Sequence, residues 1–343
     1  MSSAPAWWTR LRTPSALAAV VVLLLSVAGC SGAVSSADGE SSPGSSVAAG
    51  GWPRTVASAK GDVTLESKPE RIVSTSLTLT GTLLAIKAPV IASGATNPNT
   101  SVSDEQGFFT QWSEVAEERG VKRLYSNSEP SVEAVLAEDP DLIIVSATGG
   151  DSAVDLYDQF AKIAPTLVIG YDDKSWQELA PLLGEATGHE ADAEAALEDF
   201  SAQVDETASA ISLPPQPVSA FVYNEDGTAN LWTPESAQGK LLTSVGVEIA
   251  TLPDSVDRGT SMGKRGDIIE LGSEAIAEGL NGESFVIITP DKNTRRAVLT
   301  NKLLGNSPAI KEGHVYAMGA DSFRLDYYSA ANMLTALREQ LGS

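Results

Sequence analysis

The stretch "HEADAEAALEDFSAQVDETASAISL", residues 189–213, runs for 25 residues without a glycine or a proline. Ala193, Leu197, Phe200, Val204 and Ile211 fall near one stripe of a 3.6-residue repeat, so the spacing predicts a single long helix. "PPQP" (214–217) stops it, because proline lacks the amide that a helix interior needs. Before the helix, strand-like and helix-like segments alternate. "RIVSTS" (71–76) and "VIASGAT" (90–96) read as strands, and "LTLTGTLLAI" (77–86) and "GFFTQWSEVAEERG" (107–120) as helices, with Gly120 a C-cap. "SVEAVLAEDPDLIIVSATGG" (131–150) reads as a short capped helix, a turn and a buried strand. "DSAVDLYDQFAKIAP" (151–165) is a helix ended by Pro165, "TLVIG" (166–170) a strand, and "SWQELAPLLGEATG" (175–188) a helix broken or kinked at Pro181. After the long helix the alternation restarts with "VSAFVY" (218–223), "AQGKLLTSVG" (237–246), "SEAIAEGL" (273–280), "SFVIIT" (284–289), "HVYAMG" (314–319) and a last helix within 321–341. The fold class is therefore α/β, with two α/β lobes (52–188 and 214–343) joined by one long helix (189–213). Such lobes bind ligands at loops beyond the carboxyl edges of their sheets.

The first 51 residues have a different texture. Arg10 and Arg12 precede an apolar run at 16–29, too short for a comfortable membrane span. Val27-Ala28-Gly29 then leads into Cys30, the only cysteine in the chain. The run resembles a bacterial lipobox, so residues 1–29 are expected to be a signal peptide and Cys30 a lipidated residue. Residues 30–51 are Ser/Gly/Ala-rich and expected to be a flexible tether. The folded part is thereby expected outside the cytoplasmic membrane, held to it by lipid. A lone cysteine excludes an intrachain disulfide framework.

The chain has 45 acidic and 23 basic residues, a net charge of −22 that becomes −24 without residues 1–29. This charge argues against nucleic-acid partners. No nucleophile elbow, phosphate loop or His-based triad is present, so an enzyme is not expected. The two histidines, His189 and His314, lie far apart in unlike contexts, so no bare-metal site is expected either.

Against this background "FRLDYYSA" (323–330) is unusual, because it sets Arg324 beside Phe323, Tyr327 and Tyr328. This run resembles the ferric-enterobactin-binding proteins of bacterial siderophore ABC importers, as do "RIVSTSLTLTGTLLAI", "APVIASGAT", "VSATGGDSAVDLYDQ", "GYDDKSW", "LPPQPV", "NLWTPESAQG" and "GKRGDIIELG". The resemblance covers residues 52–341. It implies a monomeric receptor, not an enzyme, that takes a ferric catecholate between two lobes and passes it to a permease. It needs no cofactor of its own, because the iron arrives already chelated. The resemblance places ligand contacts at Arg324, Phe323 and Trp232, with Lys264 and Arg265 in a Gly-flanked loop as further cations. An anionic, aromatic complex suits an arginine, which donates in a rigid fork and stacks on rings. Tyr327 and Tyr328 either donate to ligand oxygens or pack in the core. Where the family has an arginine after "GAT", this chain has Ser101, with Lys122 and Arg123 the nearby candidates to compensate. The resemblance implies that Glu133 and Glu274, each expected in the first turn of a helix, dock on permease arginines; stabilisation of a helix dipole is the compatible alternative that needs no partner. Two other functions remain open: a receptor for another siderophore, haem or cobamide, and a signalling or adhesive lipoprotein on the same fold.

Overall fold

The computed structural model describes residues 51–259, 266–291 and 293–342. The expected signal peptide, Cys30 and almost all of the expected tether lie outside them, as do Lys264 and Arg265. The described chain opens with a hairpin of β1 (Arg54–Val56) and β2 (Val63–Leu65). There follow β3 (Ile72–Ser74), α1 (Leu77–Ala85), β4 (Val90–Ala95), α2 (Ser113–Glu118), β5 (Lys122–Ser126), α3 (Val132–Ala137), β6 (Leu142–Ser146), α4 (Tyr157–Phe160), β7 (Thr166–Ile169) and α5 (Trp176–Thr187). The sheet order is β5-β4-β3-β6-β7, and every pairing is parallel. After α6 (Glu190–Ala210) come β8 (Val218–Tyr223), β9 (Ala229–Trp232), α7 (Ala237–Ser244), β10 (Ile268–Leu271), α8 (Ile276–Gly279), β11 (Ser284–Ile287), α9 (Thr294–Thr300), α10 (Pro308–Lys311), β12 (Val315–Ala317) and α11 (Tyr327–Leu341). This second sheet runs β10-β9-β8-β11-β12, parallel across β8, β11 and β12 and antiparallel at β9 and β10. Two α/β sheets with one long helix between them are thus the architecture.

Local chemistry sets the ends of the elements. Ser175 caps α5 in a reciprocal box with Glu178, and Gly188 closes it at φ +70°, a conformation glycine adopts without a Cβ penalty. Pro181 stays inside the helix rather than ending it. The helix expected over 107–120 contracts to α2. Ahead of it, Asp104 holds a turn by accepting from the amides of Gln106 and Phe108. That turn drives Phe108 and Trp112 into the core. The helix expected over 151–165 contracts to a 3₁₀ turn at Val154–Leu156 and the single turn α4.

The long helix α6 buries Ala193, Phe200 and Thr207. Trp176 of α5 meets Phe200 edge-on at 5.0 Å, and meets Tyr327 of α11 at 5.4 Å. One hydrophobic cluster accordingly runs without a break from α1 and α5, through α6, to α7 and α11. The outer face of each sheet has its own smaller cluster. At the seam between the lobes, Gly81 of α1 lies against the side chain of Asp326, the N-cap of α11. A Cβ there would meet Asp326 Oδ2 at 2.2 Å, so only glycine allows the approach.

Candidate functional site

A cleft of about 460 Å³ lies where the carboxyl ends of both sheets face each other. Thr96 and Asn97 reach it just beyond β4, Ser126 to Ser128 at the end of β5, and Gly150 beyond β6. From the other lobe come Thr289 beyond β11 and Ala320, Asp321, Phe323 and Arg324 beyond β12. Phe109 and Gln111 line it from the loop before α2. Its walls mix neutral amides and hydroxyls with apolar groups, Leu77, Val102 and two rings, Phe109 and Phe323, among them. Arg324 is the one cation among the described lining residues, and Asp321 the one acid.

The segment that carries Arg324 is fixed from several sides. Gln238, buried on α7, donates through Nε2 to the carbonyls of Ser322 (3.0 Å) and Phe323 (2.5 Å). The Ser322 hydroxyl donates to the Gly319 carbonyl and accepts from the Thr289 amide. Thr289 is held there at φ +50°, a strained conformation for a β-branched residue. The Ser329 hydroxyl donates to the Arg324 carbonyl at 3.0 Å, and Asp326 forms a capping box with Ser329. Phe323 is 39% exposed in the cleft, with Trp232 edge-on behind it at 5.5 Å.

The Arg324 guanidinium lies 6.0 Å from the centre of the Phe109 ring, at the outer limit of a cation–π contact. Its Nη1 crosses the seam and donates to Thr78 Oγ1 at 3.1 Å. Beneath Thr78, the buried Asp151 accepts from the Ser76 hydroxyl, the Thr78 amide and the Tyr171 hydroxyl. Burial and then the Asp151 carboxylate push the Tyr171 phenol far above its usual range, while Arg324 and Thr78 pull the other way. Next to Arg324, Asp326 is pushed up to about 6 by burial, against the pull of its bonds to Ser329 and Gln111.

Among the residues singled out from sequence, Arg324 and Phe323 come together in the cleft. Trp232 does not line it. It is 4% exposed and supports Phe323 from behind. Tyr327 turns away altogether. Its hydroxyl donates to Asp199 of α6 at 2.6 Å, and its ring packs on Trp176 and Phe200. Ser101 is exposed in the loop beside the lining residue Val102. Lys122 and Arg123 begin β5, whereas the cleft meets its far end, about 13 Å along the strand. Lys122 pairs with Glu138 there, so these two cations do not replace the missing arginine. Glu133 occupies the first turn of α3, as expected. Glu274 does not share that setting: it sits in the turn before α8, whose first-turn acid is Glu278. Phe109, Gln111, Asn97 and Thr78 were not found from sequence. "GFFTQW" carried the only signal, a pair of rings beside a polar amide.

Two sheets, one bridging helix and a cleft at the carboxyl edges of both define a helix-linked substrate-binding protein. The chain belongs to the periplasmic binding protein family, which matches residues 72–322. It is 55% identical over 293 residues to the ferric enterobactin-binding periplasmic protein FepB of Escherichia coli, covering 85% of this chain and 92% of that one. It is 26% identical over 317 residues to the iron(3+)-hydroxamate-binding protein YxeB of Bacillus subtilis, covering 89% and 88%. Among solved structures, holo-ViuP superposes with a TM-score of 0.77 at 36% identity, covering 85% of this chain and 96% of that one.

Proposed function

We propose that this chain is an extracytoplasmic receptor that binds a ferric catecholate siderophore, ferric enterobactin or a close relative, and hands it to an ABC permease. The observation that carries the reading is the pairing of Arg324 with Phe323 and Phe109 in one cleft, in a chain 55% identical to a ferric enterobactin-binding protein. A tris-catecholate complex presents flat rings and net negative charge, which stack on aromatic walls and accept from a guanidinium fork. Lys264 and Arg265, outside the described residues, are the proposed further cations. The protein carries the complex as a monomer and performs no chemistry on it. Glu133 and Glu274 are the proposed permease contacts. Cys30 is the proposed lipid anchor, and no helix among the described residues is long and apolar enough to cross a membrane.

Titration against ferric enterobactin and a ferric hydroxamate such as ferrioxamine, followed by intrinsic fluorescence, tests the reading. The catecholate complex is expected to bind about tenfold tighter or more, a preference of about 1.4 kcal/mol. Equal binding of the two would remove the catecholate assignment and leave a siderophore receptor of other specificity.

A further inference from the structure

The arginine that lines the cleft belongs to one lobe and is oriented by the other. Arg324 lies in the loop before α11, yet its Nη1 donates to Thr78, in the first turn of α1. Thr78 is itself fixed. Its amide donates to Asp151 at 2.9 Å, and Asp151 is 3% exposed and also holds Ser76 and Tyr171. Among the described residues no carboxylate lies within ion-pair distance of Arg324, and its guanidinium donates to the Thr78 hydroxyl. Backbone contacts hold only the main chain of residues 322–324, which leaves the long arginine side chain free to adopt many rotamers.

We propose that Thr78 is a positioning residue for the ligand-binding arginine. It accepts one N–H of the fork, holds the guanidinium over the cleft and leaves its remaining donors for an anionic ligand. Asp151 acts one step further back, by fixing the Thr78 backbone. An arginine ordered before the ligand arrives loses less rotamer freedom on binding, so affinity rises without a new ligand contact. Because the acceptor sits across the seam, the arginine is in place only when the two lobes are in register. This inference rests on the receptor reading above for its ligand, but the ordering of Arg324 does not.

The ordering is tested first in the ligand-free protein, by ¹⁵N relaxation of the Arg324 side-chain N–H, assigned by its loss in Arg324→Lys. Thr78→Val removes the hydroxyl and keeps the shape. It is expected to raise the mobility of that group, and Thr78→Ser to restore the parental value. An unchanged Arg324 signal in Thr78→Val overturns the proposal whatever the protein binds. The second measurement is a double-mutant cycle titrated with ferric enterobactin. Thr78→Val is expected to weaken binding about three- to tenfold in the parent. It should have no further effect in an Arg324→Ala background, where there is nothing to position. Equal losses in both backgrounds would make Thr78 a structural residue or a ligand contact and overturn the inference. Failure of the parent to bind any ferric catecholate would instead count against the receptor reading, with the relaxation result still deciding the role of Thr78.

Discussion

Asp326 is a carboxyl group enclosed at the seam between the lobes, 4% exposed, next to the residue that lines the cleft. It accepts from the Ser329 amide at 2.9 Å and from Gln111 Nε2 at 3.3 Å, and it lies against Gly81. These bonds do not offset its burial, so its pKa rises from 3.8 to about 6. The fold therefore favours the protonated form. The stability this group contributes is greatest below pH 4, the unfolded value, and falls as pH rises from about 4 to about 6. The full excursion is on the order of 3 kcal/mol. Asp326→Asn keeps the oxygen that caps α11 and removes the charge. Gln111 accommodates the new amide by turning its own, since its Oε1 has no partner. In urea unfolding across pH 4 to 8, the variant is expected to gain on the parent through that window and stay ahead above it. A difference that does not change with pH would mean that Asp326 is not titrating there.

At the scale of elements, α11 shows what can be read from composition and what needs topology. Its apolar stripe Met333, Leu334, Leu337 and Leu341 was legible, and all four are buried. The direction of Tyr327 was not, because a ring at the start of a helix suits a cleft and a helix seam equally. Only the placement of α5 and α6 decides, by bringing Trp176 from the one and Asp199 and Phe200 from the other to it. Tyr327→Phe keeps the ring and removes the bond to Asp199. Ferric-complex affinity should therefore be unchanged while unfolding free energy drops by about 0.5–1.5 kcal/mol. A clear loss of affinity with unchanged stability would return Tyr327 to the binding site. The same limit governs the other elements. The long helix was legible because 25 residues lack any breaker, whereas β5 was not, since Lys122 and Arg123 interrupt its apolar pattern at an exposed edge. Arg324 stood out because a cation among rings contradicts an acidic composition. Thr78, Asn97 and Gln111 are ordinary neutral residues in sequence, and they become site residues only because parallel strands deliver their ends to one edge.

At the scale of the whole molecule, the question is how a receptor reports to a membrane partner that it is loaded. Glu133 and Glu274 are exposed, one on each lobe, and neither forms an ion pair among the described residues. The structure separates the two roles read for them from sequence. Glu133 lies in the first turn of α3, bonded to the capping Ser131, so a helix dipole accounts for part of its placement. Glu274 precedes α8, a helix of a single turn, and gains no such stabilisation. A dipole role for both therefore fails, and the role proposed for the pair is contact with basic groups on the permease. The continuous hydrophobic cluster through α1, α6 and α11 holds the lobes together, so two acids on separate lobes sample the register of the whole molecule. Rim charges of this kind act mainly on association and are sensitive to salt. Glu133→Ala with Glu274→Ala is expected to leave ferric-complex affinity at the parental value and to abolish iron uptake by cells. Any loss of thermal stability should come from Glu133→Ala alone. Normal uptake by the double variant would leave Glu133 as a helix-end acid and Glu274 without a role. Uptake and affinity falling together would instead place these acids in the path of the ligand, and only the paired measurement tells the two apart.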